Sequence, residues 1–204
     1  MELTIGGIIT NGIQRGIQNL IPILINAVLW IITIWIPYLN VGTTIGMLTG
    51  VVPKMAKGES VSPTEIFNPV YRKRMGEFFL VMGFMFAGIM VGLLFFIIPG
   101  YVIFIAWMLA PLLVVDKEMN PIDAISTSNA LTYGKKWTIF FGMGILIFVT
   151  EIVVFVAIYI TGSIFDSLGN FGSIIILIVS IGGFALLMSI AMSALSYIYG
   201  TLVR

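Results

Sequence analysis

The chain contains no cysteine and no histidine among its 204 residues. Without cysteine there is no disulfide bond and no thiol nucleophile, and without histidine there is neither an imidazole base nor the commonest metal ligand. Charged residues are also scarce, at 9% of the chain against about 25% in soluble domains. The sequence has no P-loop, EF-hand loop or nucleophile elbow either. We therefore expect a protein that is not an enzyme and that holds no cofactor and no metal.

Apolar residues dominate what is present. They make up 59% of the sequence, and the mean hydropathy is +1.12. These values exclude a soluble fold and predict membrane helices, each needing about 20 residues to cross about 30 Å of hydrocarbon. The predicted fold class is all-α: a polytopic helical membrane protein with about six transmembrane helices in three hairpins and short cytoplasmic interfacial helices. Residues 1–204 form a single transmembrane domain in this interpretation.

The basic residues are distributed asymmetrically. When the apolar segments are threaded through a bilayer in turn, every lysine and arginine falls on one side, and the opposite connections hold one charge, Asp166. An excess of lysine and arginine marks cytoplasmic loops. We therefore predict a multi-pass protein of the cell membrane with both termini in the cytoplasm. A net charge of +1 gives no reason to expect nucleic acid as a partner. The basic residues are Arg15, Lys54, Lys57, Arg72, Lys73, Arg74, Lys117, Lys135, Lys136 and Arg204.

Three similar units follow one another, at about residues 1–58, 59–118 and 119–204. Each has a short, partly polar segment, an apolar helix, a tight turn and a second apolar helix. The first polar segment is amphipathic, with isoleucines at near-helical spacing. Proline at the first helical position predicts short surface helices over Pro63–Tyr71 and Pro121–Tyr133, with acids at their N-termini, and Gly134 ends the second of them. Pro111 is expected to kink the fourth span.

The stretch from Ile98 to Trp137 carries a more specific pattern. An Ile-Pro-Gly turn is followed by a helix, a short acidic link, a proline, and an Ala-x-x-x-Ser-x-x-Leu-Thr-x-Gly run before a basic residue and tryptophan. The residues that carry it are Ile98, Pro99, Gly100, Asp116, Pro121, Ala124, Ser128, Leu131, Thr132, Gly134, Lys136 and Trp137.

This pattern resembles the membrane domain of glycerophosphoryl diester phosphodiesterases and related bacterial and archaeal families that contain only this domain. The resemblance implies a membrane module. The soluble phosphodiesterase domain of that family uses histidine and a metal site and has no counterpart here, so the resemblance implies no hydrolase activity. Asn129 also departs from the family, which often has an aromatic residue at that position.

Two polar residues inside apolar runs are the candidate intramembrane site. Glu151 is the one acid well inside a predicted span, and a carboxyl group at such depth suggests a proton or cation path. The alternative is a neutral glutamate that is hydrogen-bonded within the bundle, to Thr150, Ser180 or Asn26. Asn26 itself is expected to stabilise helix contacts by bonding across helices.

Small residues and basic residues supply the remaining predicted positions. Glycines at GxxxG spacing let helix backbones approach closely, either within the chain or in a homo-oligomer. The predicted helix-packing residues are Gly42, Gly46, Gly50, Gly88 and Gly92. Basic residues beside a tryptophan predict anchoring at lipid headgroups. The predicted anchors are Arg72, Lys73, Arg74, Lys135, Lys136 and Trp137.

Three functions remain open from the sequence. The leading hypothesis is a non-enzymatic integral membrane protein that acts as a membrane scaffold or a partner subunit. The second is a small transporter or channel with a polar crevice around Glu151. The third is an accessory protein of membrane lipid metabolism. Membrane lipids are the expected partners in all three, together with a second copy of the chain or another membrane protein.

Overall fold

The computed structural model describes residues 2–203, apart from the side chain of Asp166. The predicted cytoplasmic position of Arg204 and the predicted external charge of Asp166 therefore fall outside the described part. Every regular element in that part is helical. The α-helices are α1 (Ile5–Gln18), α2 (Leu20–Thr33), α3 (Pro37–Ile45), α4 (Val51–Lys57), α5 (Met75–Phe95), α6 (Ile97–Trp107), α7 (Ala110–Asp116), α8 (Pro121–Thr132), α9 (Lys136–Phe165) and α10 (Asn170–Leu202). A π-helical turn (Gly46–Gly50) joins α3 to α4, and 3-10 turns occupy Glu65–Phe67, Pro69–Arg72 and Asp166–Leu168.

Four helical stretches are long and apolar enough to cross a membrane: α5, α6 with α7 (Ile97–Asp116), α9 and α10. Helices α1 and α2, which are bent by 73° relative to each other, would together make a fifth. The all-helical, membrane-type fold is thus confirmed. The count of six spans and their arrangement in three hairpins stay predictions.

Helices α9 and α10 form a long antiparallel pair, which we call the third helix pair. In the half of the pair nearer the turn at Asp166–Leu168, which we call its outer half, Val154 packs into the space that Gly183 leaves open. Near its open end, where α9 begins and α10 ends, α1 runs alongside both helices, with Gly12 against Leu146 and Ala194 and Gly16 against Ile190. Ser189 donates a hydrogen bond of 2.6 Å to the carbonyl of Gly16. This small-residue seam fastens the amphipathic N-terminal helix to the pair.

The first helix pair (residues 20–57) consists of α2 and the helical run from α3 to α4, with α2 packed against α3 and the π-helical turn. The indole nitrogen of Trp30 donates to the hydroxyl of Thr44 at 2.9 Å, and the hydroxyls of Thr33 and Thr43 are 2.9 Å apart. Helix α4 ends at Gly58, whose φ of +77° favours glycine. The chain then returns as a polar segment (residues 59–74) along the side of this pair.

The second helix pair (residues 75–116) consists of α5 packed against α6 and α7. The helix between Ile97 and Asp116 breaks at Met108–Leu109, just before Pro111, which confirms the predicted kink. Helix α8 covers the break: the Ser128 hydroxyl donates to the carbonyl of Ala106 at 2.7 Å and accepts from the Leu109 amide at 3.2 Å. A proline cannot complete the helical ladder, and Ser128 supplies hydrogen-bond partners to two backbone groups at the break.

The second pair runs across the open end of the third pair. At the start of α6, the ring of Tyr101 meets that of Phe140, with centroids 6.0 Å apart. At the end of α7, Asp116 accepts a hydrogen bond of 2.8 Å from the hydroxyl of Tyr199. Phe140 begins α9 and Tyr199 nearly ends α10, so both contacts lie at the same end of an antiparallel pair. The predicted Pro99-Gly100 turn was wrong, because the chain turns at the extended residue Phe96 and both residues lie in the first turn of α6.

One of the two predicted surface helices is present. Helix α8 matches the predicted segment: the Asn120 side chain caps it at the amides of Ile122 and Asp123, and Gly134 follows it with φ +71°. The segment Pro63–Tyr71 instead forms two 3-10 turns that separate at Asn68-Pro69. Pro69 disfavours a helical conformation at Asn68 and lacks the amide a helix would need, so the prediction of a single helix was wrong.

Candidate functional site

Glu151 lies on the outer surface of α9 rather than in a crevice or the interior. It is exposed, and Phe148 and Phe155 beside it on the same helix are exposed as well. No described residue is hydrogen-bonded or ion-paired to it. Thr150 and Ser180 bond the carbonyls of Leu146 and Ile176 in their own helices. The predicted hydrogen bond within the bundle is therefore wrong, and the carboxyl group faces whatever surrounds α9.

Asn26 is fully buried and has a different partner from the one predicted. Its side-chain amide donates to the carbonyls of Pro22 and Ser62, both at 2.8 Å, and its oxygen accepts from the amide of Ile66 at 3.2 Å. The role is structural, as expected. The group it holds is the polar segment 59–74 and not a second membrane helix.

The predicted glycine seams are both packed within the chain. Gly42, Gly46 and Gly50 face the polar segment: a side chain at Gly46 would lie 2.8 Å from the Tyr71 ring and 2.9 Å from the Cα atom of Ile66. Arg72 fills the space at Gly42. These glycines thus admit a loop with bulky side chains, where the sequence pattern suggested another helix.

The second seam joins two helices. A Cβ atom at Gly92 would lie 2.9 Å from the Cα atom of Gly100, and Gly88 makes room for the ring of Trp107. Close backbone contact of this kind is what the GxxxG spacing predicts. Here it holds α5 against α6.

The predicted headgroup anchors lie around one end of the molecule, and several of them also contact protein groups. Arg74 forms an ion pair of 2.7 Å with Glu118, and Lys135 lies 3.9 Å from Glu2. The guanidinium of Arg72 lies 5.1 Å above the ring of Tyr38. The amine of Lys136 is 3.3 Å from the Asn129 side-chain oxygen. Lys73 and Trp137 are exposed.

A buried carboxylate that was not among the predicted site residues lies behind the glycines of α3 and the π-helical turn. The Glu65 side chain, 3% exposed, forms an ion pair of 2.8 Å with Lys54 and accepts a 2.6 Å hydrogen bond from the Tyr71 hydroxyl. Burial, and then this hydrogen bond, raise the pKa of Tyr71 far above its ordinary value. Glu65 was predicted only as an acid at a helix N-terminus. The packing of Tyr71 against Gly46 and Gly50 could not be predicted, because no local sequence pattern records it.

A second cluster of the same composition stands next to it. Asp116 forms an ion pair of 2.7 Å with Lys57 and accepts the hydroxyl of Tyr199. It joins α4, α7 and α10 at one point, although the three residues are far apart in sequence. The sequence analysis placed Asp116 in an acidic link but could not identify these partners.

A cavity of about 270 Å³ lies between the two clusters, with lining residues that include Lys54, Lys57, Glu59, Tyr71 and Asp116. Each of the two buried carboxylates is paired with a lysine and a tyrosine. Within residues 2–203, no group of three acids could hold a metal ion. The first cluster holds the polar segment against α4, and the second holds α4, α7 and α10 together.

Comparison with known proteins gives no further identification. No family model, curated protein or solved structure matches this chain. The resemblance to the glycerophosphoryl diester phosphodiesterase membrane domain therefore stays a prediction.

Proposed function

We propose that this chain is a non-enzymatic integral membrane protein that acts as a membrane scaffold or a partner subunit. Both termini lie on the cytoplasmic side of the cell membrane in this proposal. The observation that supports it is the separation of polarity along the third helix pair. Apart from Glu151, the described charged side chains gather around the open end of that pair, while its outer half presents exposed apolar side chains such as Phe148, Phe155 and Ile174.

Anionic lipid headgroups are the expected contact at the open end. Lysine and arginine beside a membrane surface each contribute about 1 kcal/mol of attraction to anionic lipids. Lys73 is exposed, and Lys135 and Lys136 retain partial exposure beside Trp137. These residues would hold the polar end at the headgroups while the apolar pair crosses the hydrocarbon.

Glu151 supports the partner-subunit part of the proposal. A carboxyl group on the lipid-facing surface of a membrane helix is costly, and such groups usually face a partner. A neighbouring membrane helix that offers a hydroxyl, amide or basic side chain would satisfy it. A transport role would instead need a water-filled path to Glu151, and its exposed phenylalanine neighbours do not provide one.

The proposal can be tested in reconstituted vesicles. With no native cysteine, a single cysteine can be labelled with an impermeant maleimide without background. Ser167→Cys should be labelled from outside only, and Glu59→Cys and Lys136→Cys from inside only. Labelling of all three from the same side would contradict the membrane topology.

Flux measurements separate the scaffold from the transporter. Vesicles carrying an imposed proton or cation gradient should show no flux beyond that of protein-free vesicles. A flux that Glu151→Gln abolishes, with assembly unchanged, would overturn the scaffold role.

A further inference from the structure

We propose that the first and second helix pairs are inserted into the cytoplasmic leaflet alone, and that the third pair by itself crosses the bilayer. This inference rests on the proposed function, because it requires a membrane-embedded protein. It specifies which surfaces meet lipid, and it makes the molecule a one-sided wedge.

The second pair supplies the first argument. Its two ends touch Phe140 and Tyr199, which lie at the same level of the third pair. The stretch between those contacts belongs to a 20-residue helical run. At 1.5 Å per residue such a run is about 30 Å long, enough to cross the hydrocarbon if it stood upright. Since both ends are at one level, the run lies along the membrane plane when α9 and α10 cross it.

The first pair supplies an independent argument. The polar segment 59–74 leaves its open end at Gly58, passes the middle of α2, where Ser62 meets Asn26, and reaches its closed end, where Arg72 lies over Tyr38. If this pair crossed the bilayer, the segment would cross with it. That would expose Thr64 and other polar groups of a 3-10 backbone to hydrocarbon. Irregular backbone at membrane depth is tolerated only when protein or water covers it.

The first and second pairs are each covered by a polar element on one side and expose apolar side chains on the other. On α2, the face that carries Asn26 meets the polar segment, and the opposite face is exposed. Its residues are Ile21, Ile25, Val28 and Ile32. On α5, Gly88 faces α6 and α8, and Phe79, Phe86 and Met90 lie exposed on the opposite face. Helix α8 in turn exposes Asp123, Ser126 and Asn129.

This two-sidedness fits the boundary between headgroups and acyl chains. Amphipathic elements lie there with the apolar face about 5–10 Å deep and the polar face in water. The outer half of the third pair has no such cover, and the helices of this pair, with 30 and 33 residues, are long enough for the whole bilayer. Their lengths of about 45–50 Å match the roughly 40–45 Å of hydrocarbon plus headgroup regions.

In this placement the protein occupies more area in the cytoplasmic leaflet than in the outer leaflet. The helices of the second pair, each about 10 Å wide and about 30 Å long, occupy about 600 Å² in the membrane plane, and those of the first pair, about 20 Å and 30 Å long, occupy about 500 Å². The two pairs together therefore add about 1,100 Å² to one leaflet only. The protein should concentrate where that leaflet is convex.

A leaflet-specific quenching experiment tests the placement. A fluorescent maleimide is attached to single cysteines at Trp35→Cys and Ile98→Cys, the exposed closed ends of the first and second pairs. Ser167→Cys and Lys73→Cys serve as references for the outer and inner side. Nitroxide-labelled phospholipid is then added to the outer leaflet of vesicles in which the protein has one orientation.

The expected result is that labels at Trp35 and Ile98 are quenched as weakly as the label at Lys73. Quenching of either label as strong as at Ser167 would place that pair across the bilayer and overturn the inference. If Ser167 itself behaved like Lys73, the crossing of the third pair would fail, and with it the proposed function. The two failures are thus distinguishable. A second readout is the distribution of the protein over vesicle sizes: equal density on small and large vesicles would refute the wedge.

Discussion

Replacing Gly50 by alanine tests how the polar segment is held against the first helix pair. Gly50 has an ordinary helical conformation, with φ −80° and ψ −42°, so alanine causes no backbone strain there. An added Cβ atom would, however, overlap the ring of Tyr71. That ring must move, and its hydroxyl then loses the 2.6 Å hydrogen bond to the buried carboxylate of Glu65.

The expected loss of stability combines two destabilising effects with one stabilising effect. Overpacking a core position costs about 1–3 kcal/mol, and a lost hydrogen bond to a charged group costs about 1.5–3 kcal/mol. Alanine regains about 1 kcal/mol of helix propensity over glycine. The free energy of unfolding should therefore fall by about 1.5–5 kcal/mol.

Unfolding by SDS in mixed micelles, followed by tryptophan fluorescence, measures this change. Gly144→Ala is the matched control, because Gly144 lies in α9 with no neighbouring atom within 4 Å of an added Cβ atom. That variant should be as stable as the original or more stable by up to about 1 kcal/mol. In a Tyr71→Ala background the Gly50→Ala change should lose most of its cost, since the obstructing ring is absent. Equal stability of Gly50→Ala and Gly144→Ala, or an unchanged cost without the Tyr71 ring, would refute the reasoning.

Three further predictions follow from the same region. Gly46→Leu should destabilise the protein in detergent far more than Leu48→Ala, because Gly46 is buried against Ile66 and Tyr71 while Leu48 is exposed; equal thermal stability would remove Gly46 from the contact. Asn26→Ala should cost about 1–3 kcal/mol, since it leaves the buried amide of Ile66 without its partner, and the exposed Asn129→Ala should change stability by less than about 0.5 kcal/mol. A similar loss in both variants would contradict the role of Asn26. Tyr71 should ionise only well above its ordinary pKa of 10.0. Because the fold favours the neutral phenol, Tyr71 makes its full contribution to the free energy of unfolding below pH 10.0. That contribution is lost as the pH rises through the raised pKa of the folded state. A difference titration of near-ultraviolet absorbance against Tyr71→Phe should show no tyrosinate from this residue at pH 10.0, and its appearance there would contradict the burial.

The sequence by itself determined the class of the molecule and its local features. Apolar composition predicted membrane helices, because the cost of placing a charge in hydrocarbon acts wherever the segment lies. Pro121 and Gly134 predicted the bounds of α8, and Pro111 predicted the break before α7. These signals depend on the backbone preferences of one residue and its near neighbours, so a single sequence displays them.

Only the tertiary structure decided where the helices lie and what the polar residues touch. Lys57, Asp116 and Tyr199 meet although 59 and 83 residues separate them, and no local pattern records such a pairing. The outward position of Glu151 and the loop that fills the Gly46 seam were likewise beyond the sequence. In a chain with apolar residues on nearly every helix face, hydrophobicity places a helix in the membrane but does not choose its neighbour. That choice depends on shape and on a few polar contacts, which exist only once distant segments have come together.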